Sequence, residues 1–134
     1  MKDGVPAQAY VDLELLNKQL SSLEQNVQLA DQELEHTLLA LAMLEEFEQA
    51  KEDQEILIPL GSGAFCSVQA GNINTIRMAV GAGVLVDRTP QEARKGLQDQ
   101  VEQLKAQRAK SLQLHDQVID QIVKKQEEIE KELS

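Results

Sequence analysis

The chain has 134 residues, a formal net charge of −10, no Trp, and only Tyr10, Phe47 and Phe65 as aromatics. A length like this points to one domain spanning 1–134, but a compact globular core normally uses aromatic bulk that is missing here. The acidic balance argues against nucleic acid, whose phosphates are bound by Lys and Arg releasing counterions, and against anionic membrane surfaces.

The remaining composition, rich in Leu, Ala, Glu, Gln, Lys and Asp, is the stock of long helices and coiled coils. Cys66 is the single cysteine and forms no internal disulfide. No basic-plus-apolar leader is visible at the N-terminus. Both features fit a reducing cytoplasm, the expected location.

Residues 10–52 read as the first helix. Leu13, Leu20, Val27, Leu34 and Leu41 form one heptad series, and Leu16, Leu23, Ala30, Thr37 and Leu44 form the other. Sustained a/d spacing with charged flanks is a coiled-coil signature. From 13 to 44 the stripe covers roughly 48 Å at about 1.5 Å per residue. Leu38, Leu39, Ala42 and Phe47 broaden it near its end, which predicts more than one neighbour there.

Residues 55–88 read as strands at 55–60, 64–70, 75–80 and 84–88, making two hairpins. The breaks fall at Gly61-Ser62-Gly63, at 71–74 and at Gly81-Ala82-Gly83. Pro59 belongs at a strand end or edge, because it cannot donate a ladder bond. The stretch 56–76 carries no charge, but its glycines and asparagines interrupt it too often for a membrane-spanning helix. Arg77 is the only charge between Ile56 and Val86. A small sheet this apolar is an aggregation hazard on a monomer, so other subunits are expected to cover it.

Residues 90–133 read as the second helix. Thr89-Pro90-Gln91-Glu92 spells a capping box with Pro at the first helical position. The seam read from apolar spacing is Leu97, Val101, Leu104, Arg108, Leu112, His115, Ile119, Ile122, Gln126, Ile129 and Leu133, with a stutter around Arg108. Two helices joined by this middle zone run antiparallel and bring the chain termini together. The fold class is therefore α+β, mostly α: a long antiparallel coiled-coil hairpin with two β-hairpins between its helices.

This arrangement resembles the α class of prefoldin subunits, the archaeal type; the β class has one hairpin. Ile58-Pro59-Leu60-Gly61-Ser62-Gly63-Ala64-Phe65 is similar to the family's first turn, and Met78-Ala79-Val80-Gly81-Ala82-Gly83-Val84 to its second. Ala64 and Ala79 stand where the family more often has Ser. The resemblance covers nearly the whole chain. It implies an ATP-independent holdase without cofactor: two α and four β-type subunits joined through their hairpins into a hexamer. Its coiled-coil tips would bind unfolded client proteins and pass them to a group II chaperonin. On that basis the assembly contacts are expected at Ile56, Ile58, Phe65, Val68, Met78, Val80, Val84 and Val86. The client-binding tips are expected at Val5, Tyr10, Val11, Leu15, Ile129 and Leu133. Frayed helix ends with ordinary exposed apolar residues are the plainer reading of the tips, and the resemblance favours capture.

Other chemistry is poorly supported. The glycine clusters lack the Gly-Lys-Ser/Thr and following helix of a phosphate loop. His36 and His115 lie on different helices without a second ligand at useful spacing, so no metal is expected, and His115 reads as a polar seam residue. Cys66, in a strand without a basic neighbour, reads as an inert packing thiol. The many carboxylates form a solvated face, with helix pairs such as Glu14–Lys18 and Glu127–Lys131. No enzyme constellation is present. The alternatives are a structural coiled-coil spacer or filament former without chaperone activity, and, against the charge, a helical arm that binds nucleic acid.

Overall fold

A computed structural model describes residues 7–71 and 73–133. The element order is α1 (Ala7–Gln49), β1 (Glu55–Gly61), β2 (Ala64–Gln69), β3 (Ile76–Gly81), β4 (Val84–Arg88) and α2 (Pro90–Leu133). The described residues fall into two compact units. The arm unit joins the chain up to Glu33 with the chain from Leu104 onward, and the hairpin unit is Leu34–Gln103.

In the arm unit the helices run antiparallel, as the cross-helix pairs record. Arg108 Nε donates to Asp31 Oδ1 at 2.5 Å, His115 Nε2 lies 3.2 Å from Glu24 Oε1, and Lys125 Nζ lies 3.7 Å from Asp12 Oδ2. Partners on α1 descend as positions on α2 rise. Between these polar rungs lies the apolar cluster Leu23, Val118 and Ile122, with Leu13, Leu16 and Leu20 packed against it. Each buried aliphatic side chain of this kind contributes about 1.5–3 kcal/mol.

The α1 seam follows the heptads read from sequence: Leu23, Ala30, Thr37 and Leu44 are buried, and Leu13, Leu16, Leu20, Val27, Leu34 and Leu41 half-buried. On α2 alternate seam positions beyond Leu112 differ by one residue, while His115, Ile122 and Ile129 stand as read. Val118 packs where Ile119 was expected, and Lys125 occupies the inward position expected for Gln126; Ile119 and Gln126 are exposed. Counting from Arg108, the inward residues are 108, 111, 115, 118, 122, 125 and 129, alternating three and four. The inferred stutter therefore dissolves: Ser111 and Leu112 are both half-buried. Lys125 holds the position by laying its stem on the seam and its ammonium on Asp12 and Glu128.

In the hairpin unit α1 ends at Gln49, three residues before the expected 52. Gln54 N donates to Lys51 O, Gln54 Oε1 accepts from Lys51 N, and Asp53 N donates to Ala70 O. These bonds fold 51–54 into a turn with Asp53 at φ 65°, a conformation that Asp tolerates. α2 begins where the capping box places it. Thr89 N donates to Glu92 Oε1 at 2.9 Å, and Glu92 N donates to Thr89 Oγ1 at 3.1 Å. The bond from the Thr89 backbone N–H, helped by the Thr89 side chain, holds the Glu92 carboxyl below its ordinary value. Ala93, fully buried one residue on, fixes this end of α2 to the unit.

The strands form two separate antiparallel two-stranded sheets, β1 with β2 and β3 with β4. Ile56 faces Val68, Ile58 faces Cys66, and Met78 faces Val86. Each hairpin has a bulge before a two-residue loop, Ser62-Gly63 and Ala82-Gly83, with φ positive at both loop positions. That is the primed turn whose twist suits a hairpin. Gly63 takes its position without strain, whereas Ala82 holds φ 51° against a steric cost.

Candidate interaction surfaces

The expected tip residues divide in the structure. Tyr10, Val11, Leu15 and Leu133 are exposed. Ile129 is not: at 9% exposure it belongs to the seam, because its heptad position points inward, and it is withdrawn from the tip set. Val5 lies outside the described residues.

The expected assembly residues also divide in exposure. Phe65, Val80 and Val84 are exposed. Ile58, Val68, Met78 and Val86 are half-buried. Ile56, at 1% exposure, is the most buried large side chain among the described residues. It is consumed inside its own protomer and leaves no surface for a partner. Cys66, expected to pack, is instead exposed, with Sγ 3.9 Å from Ser67 O.

Strand alternation explains part of the division; Val80 is the extra residue of the β3 bulge, and Val84 stands beside the turn in step with Val86. In β1, residues 56 and 58 turn inward while Leu57 faces out, in β4 Val86 turns inward while Leu85 faces out, and Leu60, the extra residue of the β1 bulge, is exposed. Leu57, Leu60 and Leu85 were missing from the sequence reading, although period-two counting from Ile56 and Val86 identifies Leu57 and Leu85. The inner face of β3 approaches the helices through a glycine. Met78 Cε lies 3.8 Å from where a Cβ would stand on Gly96. Ala40, Leu44, Phe47, Ile76 and Leu97 help to line an apolar recess of about 340 Å³ beside it.

Ion pairs frame both units. Arg94 on α2 bonds Glu48 on α1 in the hairpin unit, and Arg77 Nε lies 3.6 Å from Asp87 Oδ1 across β3 and β4. Arg94–Glu48 joins residues far apart in sequence, so no local spacing announced it. Glu14–Lys18 forms as read, at 3.8 Å. Among the described residues no three His, Cys, Asp or Glu side chains gather as a metal site would require, and no described helix is long and apolar enough to cross a membrane.

The comparisons agree on one family. The family model for "Prefoldin subunit" matches residues 16–134. The prefoldin subunit alpha of Methanococcoides burtonii is 32% identical over 89 residues, 66% of this chain and 64% of the relative. That of Methanococcus maripaludis strain C5 is 32% identical over 95 residues, 71% of this chain and again 64% of the relative. The match thus spans somewhat under two thirds of these curated relatives. Among solved structures, a chain of the filamentous prefoldin from Methanocaldococcus jannaschii superposes with a TM-score of 0.68. It is 19% identical, with 89% of this chain and 96% of that chain covered, a likeness of fold.

Proposed function

The chain belongs to the prefoldin subunit family, and from that membership we propose that it is an α-class subunit of an ATP-independent holdase. In this reading two copies join four single-hairpin β-type subunits through their hairpins in the cytoplasm. The arms hold unfolded client chains and release them to a group II chaperonin. The protein catalyses no reaction of its own.

The observation that carries the reading is that two sets of exposed apolar side chains occur in two different settings. Phe65, Val80 and Val84 lie on two-stranded hairpins. Sheets of that size are marginal alone and gain stability when another subunit covers them. Tyr10, Val11, Leu15 and Leu133 lie at helix ends whose seam is already filled by other residues. They are available for weak contacts that add by avidity across several arms.

The test is client protection. The assembled complex should suppress aggregation of a heat-unfolded client without ATP. A chain trimmed to residues 16–126 should assemble to the corresponding mass and lose most of that protection. Full protection by the trimmed complex contradicts capture at the tips.

A second reading, a self-assembling spacer or filament, draws support from the two hairpins, which repeat the same bulge and φ pattern. The solved structure of similar fold is itself filamentous. Native mass spectrometry separates the readings. An open ladder of masses from the chain alone, unchanged by a single-hairpin partner, favours the spacer; a closed hexamer formed only with the partner favours the holdase.

A further inference from the structure

One face of the arm unit carries two apolar recesses, of about 450 and 430 Å³. Leu29 and Leu114 line the first, beside Ala30 and Leu104. Leu15 lines the second, beside Leu16 and Gln121. Leu15, Leu29, Leu114 and Gln121 each stand one position before a seam residue, so both recesses open on the same side of the helix pair. Leu15 and Leu29 are 58% and 59% exposed, far more than the seam needs. They stand two heptads apart, about 21 Å along the helix.

The two faces of the arm differ in charge. The recess linings hold three carboxylates, Asp12, Glu33 and Glu128, and three ammonium groups, Lys110, Lys124 and Lys125. The opposite face, one position after the seam, sets Glu14, Glu24, Asp31, Asp116 and Glu130 against Lys105, around the exposed Ile119 and Val123. On a chain of net charge −10, the recess face is thus a charge-balanced strip that an uncharged apolar segment enters without facing an excess of one sign.

Resting on the holdase reading, we propose that the client grip is this two-recess face, extending from Leu15 to Leu29 and Leu114, and that its occupant is an unfolded segment bearing two large apolar side chains about six residues apart. The spacing follows from chain geometry, because an extended segment advances about 3.3 Å per residue and covers the 21 Å in about six. Each recess alone is a weak anchor. Occupying both from one segment makes the second contact intramolecular, which raises affinity without tightening either site.

The test uses the full-length chain assembled with its partner subunits and two fluorescein-labelled, otherwise uncharged peptides of identical composition. One has its two leucines six residues apart, the other two apart. By fluorescence polarisation the wide-spaced peptide should bind about tenfold tighter, the effect of one additional anchor worth about 1.4 kcal/mol. Leu29→Ser should erase that advantage and leave the close-spaced peptide unchanged. Circular dichroism checks that this exposed substitution preserves the helix. Raising salt to about 0.5 M should change the wide-spaced Kd less than twofold, since no net charge is neutralised. Equal affinity for both peptides, or an unaltered Kd of the wide-spaced peptide in Leu29→Ser, overturns the two-recess grip while client protection by the wild-type complex keeps the holdase reading. A wild-type complex that neither binds the peptides nor protects a client overturns both.

Discussion

The arm unit and the hairpin unit both expose large aliphatic residues, but for different reasons. In the arm, Leu15, Leu29 and Val123 flank a seam already packed by Leu23, Val118 and Ile122. Removing any of the three exposed residues leaves the helix pair's own packing in place. In the hairpins, Leu57, Leu60, Phe65, Val80, Val84 and Leu85 are exposed on two-stranded sheets whose buried share is small. Those sheets lack a second layer over their outer faces. On the proposed function, exposed apolar surface serves a permanent partner in one unit and a transient one in the other.

The sharpest way to break this comparison is Val80→Asp. In the protomer Val80 is exposed, so the charge is tolerated there. If Val80 lies in a subunit joint, an unpaired buried carboxylate costs several kcal/mol and should abolish assembly. Light scattering should give a lone subunit, while circular dichroism keeps its helical signal. An unchanged assembly removes the hairpins from the joint.

Leu23→Ala tests the other side. Leu23 belongs to the buried cluster that closes the arm. Its truncation should cost about 2–4 kcal/mol, toward the lower part of the range for buried leucine because one flank of the seam is open. Urea titration of the assembled complex should show early loss of helix, with assembly mass retained at low urea. A concerted loss of arm and assembly would mean the two units are less independent than their packing implies.

Much of this division was legible in the sequence. The heptads of α1, the cap of α2 and both hairpin turns are local patterns, and local patterns survive folding. Two seam positions of α2 were misplaced by one residue because hydropathy prefers Ile119 to Val118 and Gln126 is no more polar than Lys125. Only a strict three-and-four count from Arg108 decides between adjacent candidates. Ile129 and Ile56 were assigned to surfaces for being apolar near a tip or a sheet, whereas heptad position and strand alternation turn them inward. The Arg94–Glu48 bond and the paired recesses depend on which residues of α1 meet which of α2, a register that neither helix states alone.

Thr89→Ala is a smaller test, confined to the hairpin unit. Losing the cap should cost about 1 kcal/mol. The same cap gives a pH signature. Glu92 is held below its ordinary 4.5 by its bonds to Thr89. Its contribution is thus fully present above that value and lost as pH falls through the lower folded one. Wild type and Glu92→Gln should converge in stability on acidification, as measured by thermal melts at stepped pH. A constant gap between them would contradict the reciprocal cap.

Gly96→Ala carries the smallest effect and the opposite sign. A Cβ there meets only Met78 Cε, at 3.8 Å, an ordinary contact. The gain in helix propensity should raise stability by about 0.5–1 kcal/mol. A loss would show that β3 sits closer to α2 than this contact allows.

The central claim is that the hairpins' exposed residues are covered by subunits and the arm's by client. Side-chain footprinting with hydroxyl radicals on the lone chain, the assembled complex and the client-loaded complex measures this directly. The account predicts that Phe65, Val80 and Leu85 lose reactivity on assembly and do not change with client. Tyr10, Leu15 and Leu29 should keep their reactivity on assembly and lose it only when client binds. Arm residues shielded by assembly alone, or hairpin residues shielded only by client, would contradict it.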